Sequence, residues 1–339
     1  MNITTIGLDL AKNVFQVHAV AADGSVVFNR SLRRSQLLNF FERTPPCLVG
    51  MEACATSHYW ARELKALGHD VRLIPPAYVK PYVKRGKSDA VDAEAICEAV
   101  TRPTMRFVQP KSCEQQAVLS LHRARELIVR QRTQIINAIR SLLAEFGVTV
   151  AQGVPRIMAF ARSLSVGDQV GLPEIAKEVV ANLCHQLLSL ERRVRWYQRK
   201  IEQHCRTDER ARRLKQIPGI GPVTASAIVA TVGDASQFRN GRELAAWVGL
   251  TPLNKSSGGK ERLGRITKMG DRYLRKLLIV GATSRLKSIK PSGDIQDDWI
   301  SQMLERKPFR LVSVAIANKT ARIVWAMLSK NEEYRGQTT

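Results

Sequence analysis

The 339-residue sequence predicts an α/β domain on a mixed sheet, followed by two mostly helical regions. Three observations predict this. The opening third strings short β-branched runs and helical spacings in the order βββ-α-β-α-β-α. The middle carries apolar residues at steps of three and four over two long segments. The last third reads as helices joined by Gly-rich turns. The expected domains are therefore 1–110, 111–213 and 214–339.

In the first domain, ITTIGLDL and VFQVHAV are apolar-rich strands, and Ala22-Asp23-Gly24 is a turn leading into SVVFNRSL. A helical stretch over Gln36–Glu42 precedes the apolar strand CLVGMEA. Another helix spans about His58–Leu67, and DVRLIPP reads as a further strand. After the basic, Pro-rich link PPAYVKPYVKRGK, the segment SDAVDAEAICEAV has helical spacing, with Ser88 as its N-cap.

Four acids stand out in that order. Asp9 ends the first strand and Glu52 the fourth, while Asp89 and Asp92 share a helix face at i,i+3. Taken singly, each reads as a turn former or a helix-terminal charge. If the first and fourth strands are neighbours, the four carboxylates gather at one point. Hard oxygen donors in that number suit Mg²⁺, or Mn²⁺, and two such ions can clamp the attacking and leaving oxygens of a phosphodiester. The arrangement resembles the RNase H/RuvC-like nuclease fold with a DEDD tetrad.

Charge narrows the partner. The chain holds 53 Lys+Arg against 30 Asp+Glu, a net +23. Residues 1–110 contribute +4, 111–215 contribute +9 and 216–339 contribute +10. Such an excess points to a polyanion, with binding that weakens steeply as salt rises. No stretch approaches ~18 consecutive apolar residues, and no leader is evident, so a cytoplasmic protein without a membrane span is expected. The six cysteines form no CxxC pair, which argues against a zinc site or a disulfide framework.

The middle region is a basic helical spacer. Leu121, Ala124, Ile128, Gln131, Ile135, Ala138 and Leu142 form one seam; Ala176, Val180, Leu183, Leu187, Leu190, Val194, Tyr197 and Ile201 form a second, heptad-like one. A coiled-coil contact between protomers is the expected use of these seams, and a hairpin closing on itself is the alternative. Arg123, Arg125, Arg130, Arg132, Arg192, Arg193, Arg195, Arg199 and Lys200 read as a phosphate-facing surface.

In the last domain, LKQIPGIGPVTASAIVATVG reads as helix, turn, helix. Gly219 and Gly221 would let backbone N–H groups approach a phosphate, as in a helix-hairpin-helix; the plain alternative is a tight interhelical turn. Farther on, a loop before the helix near Asp271 holds Ser256, Ser257, Gly258 and Gly259 among Lys255, Lys260, Arg262, Arg265 and Lys268. These cations can neutralise a phosphate, and a serine hydroxyl there can attack phosphorus and hold a strand end covalently. By composition alone, SSGG reads more often as a flexible turn than as a nucleophile. Residues 287–308 read as a turn and helix without an assigned role.

GLDLAK, MEAC, KSDAVDAEAI, IPGIGPVTASAIVATVGD and GLTPLNKSSGGKERLGRITKMGDRYLRKLL together resemble one family. It is the DEDD transposases of bacterial insertion sequences, family one-hundred-and-ten, relatives of the Piv-type DNA invertases. The SSGGKERLGRITKMGD stretch is similar to the subgroup whose elements carry subterminal inverted repeats. The resemblance implies that Asp9, Glu52, Asp89 and Asp92 hold Mg²⁺ and that Ser257, just before a glycine, is the nucleophile, with Ser256 doubling it. It also implies donor and target DNA, a structured bridge RNA that pairs with both, and a nucleoid-associated bacterial protein. A dimer-to-tetramer is implied too, with the tetrad of one protomer meeting the serine of another. Two rivals differ in chemistry: a junction-resolving metal nuclease using water, and a non-enzymatic nucleic-acid binder with structural carboxylates.

Overall fold

The computed structural model describes residues 2–84, 86, 88–166, 171–256, 258–260, 262–288 and 298–335. The chain divides into two compact units, Met1–Cys113 and Glu114–Thr339.

The first unit is a five-stranded sheet in the order β3-β2-β1-β4-β5. Its strands are β1 (Ile3–Asp9), β2 (Val14–Ala21), β3 (Val26–Arg33), β4 (Leu48–Glu52) and β5 (Asp70–Ile74). The first three form an antiparallel meander, whereas β1–β4 and β4–β5 are parallel. The β-branched runs dictate this, and each parallel step needs a crossover. Those crossovers carry α1 (Leu37–Glu42) and α2 (Ser57–Ala66). Phe41 of α1 and Trp60 and Leu64 of α2 cover one face of the sheet, packing on Leu8, Phe15, Val17, Val49 and Met51.

The other face receives α4 (Asp89–Val100), which follows the short α3 (Pro76–Val79). Ser88 caps α4 by accepting a hydrogen bond from the Val91 N–H at 3.4 Å. Ile96, Ala99 and Val100 of α4 pack with Ile74 and Val79. Beneath the helix, β1 and β4 place Gly7 directly opposite Gly50. A Cβ at Gly7 would fall 2.5 Å from the Cys97 nitrogen and nearer still to the Ala93 carbonyl oxygen. One at Gly50 would fall 2.7 Å from Val100 Cβ. The helix thus rests on bare sheet backbone.

The second unit opens with α5 (Cys113–Ala144), α6 (Val154–Val166) and α7 (Glu174–Thr207). These helices close on one another within the chain. Ile136, Ile139 and Leu143 of α5 share a core with Ile157 and Ala161 of α6 and Val180, Cys184 and Leu187 of α7. Ile128 meets Leu190 and Val194 farther along. The seams are therefore filled as an intramolecular hairpin, the alternative to the protomer contact expected from their heptad spacing. On α7 the buried line matches expectation at Val180, Leu187, Leu190, Val194 and Ile201. On α5 it runs instead through Leu119, His122, Ile128, Ile136, Ile139 and Leu143.

Polar partners explain that shift. His122 is buried because Nε2 meets Ser226 Oγ at 2.9 Å and Nδ1 meets the Tyr273 hydroxyl at 3.1 Å. His204 of α7 adds a third contact to Ser226 Oγ, at 3.0 Å. Burial pushes the His122 pKa down to about 4, so the ring is neutral at physiological pH. Arg132 bridges to Glu191 at 2.7 Å with only 18% of its side chain exposed, and Arg125 reaches Gln198. These two arginines hold the hairpin together, unlike the other seven residues of the expected phosphate-facing surface, which are exposed.

The remaining helices are α8 (Glu209–Leu214), α9 (Pro222–Val232), α10 (Gly241–Val248), α11 (Arg272–Ser288), α12 (Asp298–Arg306) and α13 (Phe309–Lys330). Helix α12 falls in the segment read as turn and helix; residues 289–297 of it lie outside the described residues. By length and composition α13 could cross a membrane. Its Val312, Ile316, Ala317, Val324 and Met327 are instead buried in the core of this unit against α9, α10 and α11. All six cysteines are free.

Because overpacking against backbone costs about 1–3 kcal/mol, Gly7→Ala should destabilise the protein by that amount. Urea unfolding of the two proteins measures it. A loss below about 0.5 kcal/mol, ordinary for surface changes, would mean that α4 does not rest on this strand.

Candidate metal centre and serine hairpin

Side chains alternate along a strand, so the residue two beyond each seat glycine faces the same helix. Gly7-Leu8-Asp9 and Gly50-Met51-Glu52 repeat one pattern on adjacent parallel strands, each ending in an acid. Helix α4 lies on that face, and its first turn brings Asp89 and Asp92 to the same end of the sheet. One carboxylate oxygen from each of Asp9, Asp89 and Asp92 lies within 4.8 Å of the others. Glu52 belongs to the same electrostatic cluster, interacting with both Asp9 and Asp92. Three of the four acids expected to form a tetrad, Asp9, Asp89 and Asp92, are thus close enough to share one ion, and Glu52 is tied to them electrostatically. The glycine pair is what the sequence reading missed, although the repeated Gly-x-acid pattern was its visible signal.

The cluster is electrostatically unfavourable by itself. Burial, then the charges of Asp92, Asp89 and Glu52, push the Asp9 pKa up to about 6. Glu52 is raised as well, by burial and then by Asp92. Among the described residues no Lys or Arg pairs with any of the four. Half-buried Asp9, Glu52 and Asp92, with the exposed Asp89 beside them, are mutually repelling oxygen donors that fit a hard divalent cation, which would offset the repulsion.

The serine segment belongs to the second unit. There the expected loop is a small antiparallel hairpin of β6 (Pro252–Asn254) and β7 (Leu263–Ile266), a pairing that its polar, Gly-rich composition concealed. Ser257 lies outside the described residues. Ser256 has a holding role: its N–H donates to Asn254 Oδ1 at 2.8 Å, and its Oγ accepts from the Arg262 N–H at 3.0 Å. Gly258 and Gly259 adopt positive φ with open space where a Cβ would sit. Lys255, Lys260, Arg262, Arg265 and Lys268 are all exposed, and among the described residues none is paired with a carboxylate. Asp271 caps the following helix, accepting from the Leu274 N–H at 2.8 Å.

The two glycines of the α8–α9 turn differ. Gly219 has φ +90° and lies against Gly281 of α11, where a Cβ would fall 2.9 Å from the Gly281 carbonyl oxygen. Its role in the structure is close helix packing. Gly221, at the N-cap of α9, is exposed with open space beside it.

Comparison with known proteins adds an independent line. A DEDD transposase family model matches residues 6–147, and one described as "Transposase IS116/IS110/IS902 family" matches residues 211–295. A probable family 20 transposase of Pseudomonas aeruginosa is 51% identical over 336 residues, covering 99% of both chains. The transposase for insertion sequence element IS1111A of Coxiella burnetii is 39% identical over 334 residues, 98% of this chain and 92% of that one. More distantly, a pilin gene-inverting protein of Moraxella bovis is 23% identical over 350 residues, 98% of each.

The cluster generates a titration test. The folded Asp9 pKa lies above its unfolded value, so ionising it costs stability, and metal-free protein should lose stability as pH rises from 3.8 through about 6. In ¹³C NMR the Asp9 carboxyl should titrate near 6, and Asp92→Asn should lower that midpoint by removing a like charge. A wild-type midpoint at the ordinary aspartate value of about 4 would contradict the clustering.

Proposed function

The chain belongs to the IS116/IS110/IS902 family of insertion-sequence transposases, enzymes that cut and rejoin DNA, and on that premise we propose that it exchanges strands through a phosphoserine under the guidance of an RNA. One observation carries the reading: among the described residues, the chain combines a carboxylate cluster with no Lys or Arg paired to it and a cation-rich hairpin with no carboxylate paired to it. Asp9, Glu52, Asp89 and Asp92 hold Mg²⁺, or Mn²⁺ in its place, and the bound ion supplies Lewis-acid charge where negative charge develops on phosphate oxygens.

Ser257 Oγ attacks phosphorus. The P–Oγ bond forms as the P–O bond to the leaving strand breaks; the serine proton leaves and the departing oxygen takes one up. A strand hydroxyl later attacks the same phosphorus, releases Ser257 and rejoins the DNA without an external energy source. Ser256 is the poorer candidate because its Oγ already closes the hairpin through Arg262. Lys255, Lys260, Arg262, Arg265 and Lys268 hold the phosphate and offset its charge. Gly221 offers the backbone of the α8–α9 turn to a second phosphate, with Gly219 fixing that turn against α11.

Residues 1–110 act as the metal-binding domain, 111–213 as the helical spacer and 214–339 as the serine-bearing domain. The working form is a homo-oligomer, up to a tetramer, acting in the cytoplasm at the nucleoid. A bridge RNA selects donor and target sequences by pairing, while the protein reads backbone and shape.

The deciding experiment incubates protein, its element's RNA, Mg²⁺ and junction DNA carrying a labelled phosphate, then denatures the mixture and looks for label on protein. The adduct should form with wild type and fall at least 100-fold in both Ser257→Ala and Asp9→Ala, on the scale of losing a nucleophile or metal ligand. Cleaved DNA with no adduct, unchanged in Ser257→Ala, would establish hydrolysis by water instead.

A further inference from the structure

The α7 surface carries a feature that the chemistry above leaves unused. Arg192, Arg195, Arg199 and Arg206 recur at steps of three, four and seven, which places them in one stripe along the helix. The stripe is about 21 Å long at 1.5 Å per residue. The opposite side of α7 is committed to the core through Val194, Ile201 and Cys205.

Two open pockets follow the stripe and share Glu202 as a lining residue. The first, about 530 Å³, is bounded by Arg192, Arg195, Gln198 and Arg199. The second, about 490 Å³, is bounded by Arg206, Arg212, Lys215, Gln216 and Pro222, and so reaches the α8–α9 turn. Arg195 is held by Glu191. Arg192, Arg199, Arg206, Arg212 and Lys215 are exposed and, among the described residues, have no carboxylate partner. Nearby cations are treated differently: Arg132, Arg210 and Lys276 each have an acidic partner. Five unneutralised cations along a concave track point to a partner that brings regularly spaced negative charge.

We infer that this groove binds the backbone of duplex DNA, a contact surface separate from the carboxylate cluster and the serine hairpin. The inference rests on the DNA-acting reading above. The groove's chemistry favours duplex over single strands. Single strands are gripped by stacking their bases on aromatic rings, and no aromatic side chain lines either pocket. Trp196 is exposed on α7 but outside the lining, with Lys200 over its ring at 5.9 Å. A surface of cations without stacking platforms matches a duplex, whose bases face inward and whose phosphates face out.

The test is fluorescence anisotropy of the full-length protein on a labelled duplex of arbitrary sequence, without divalent cation, across a KCl series. Each phosphate contact contributes about 0.9 to the slope of log K against log salt. The combined Arg199→Ala, Arg206→Ala and Arg212→Ala variant should therefore flatten the slope by about 2–3 while its thermal melt stays unchanged. A control removing Arg156, Arg162 and Lys330, exposed elsewhere on the same unit, should leave the slope as in wild type. An unchanged slope in the groove variant, or an equal change in the control, would overturn the inference. So would a loss seen with a structured RNA probe and not with the duplex. The readout is binding without metal, so a failed strand-exchange mechanism would leave the slope difference standing.

Discussion

The seating of one helix on bare sheet backbone governs the candidate site. Gly7 and Gly50 are opposite each other on neighbouring parallel strands, and α4 presses against both. Any side chain at either position would lift the helix and carry Asp89 and Asp92 away from Asp9 and Glu52. The strand period of two then does the rest, because the acid two residues past each glycine must face the same helix. Four acids from distant parts of the sequence converge because two residues lack a Cβ.

Convergence has an energetic consequence. Burying Asp9, and then setting it against the charges of Asp92, Asp89 and Glu52, destabilises the metal-free fold, which is why Asp9 holds its proton up to about 6. The fold tolerates this because the seat is backed by a separate apolar core on the far face of the sheet. Function and stability are thus divided between the two faces. The second unit shows the same economy with opposite sign: a core of α8–α11 and α13, with α12 alongside, supports an exposed hairpin whose cations have no carboxylate paired to them among the described residues.

Much of this was legible in the sequence where one physical rule governs. The βββ-α-β-α-β-α order followed from β-branched runs and turn residues, Ser88 capped α4 as its residue type predicts, and Asp9, Asp89 and Asp92 lie together as their element positions implied, with Glu52 interacting electrostatically with Asp9 and Asp92. The seam on α7 was readable because its buried line is nearly all apolar. On α5 the same rule failed, since His122 is buried through hydrogen bonds to Ser226 and Tyr273, partners more than 100 residues away. Apolar periodicity cannot register a polar residue that is satisfied by distant groups. Nor can it choose between a hairpin and a contact between protomers, because both satisfy one seam. Arg125 and Arg132 were misplaced on the surface for a related reason: Gln198 and Glu191 supply their partners from the facing helix.

On the proposed reading, the seated helix completes a divalent-cation site. The most direct measurement is Mn²⁺ binding to the full chain, followed by the loss of the free-ion EPR signal, for wild type, Asp9→Asn, Asp92→Asn and Ser257→Ala. Wild type and Ser257→Ala should take up Mn²⁺ alike, and each of the two aspartate variants should bind at least tenfold more weakly, in line with the loss of a charged ligand. Equal Mn²⁺ uptake by wild type and Asp9→Asn would mean that the ion is not held by this carboxylate cluster.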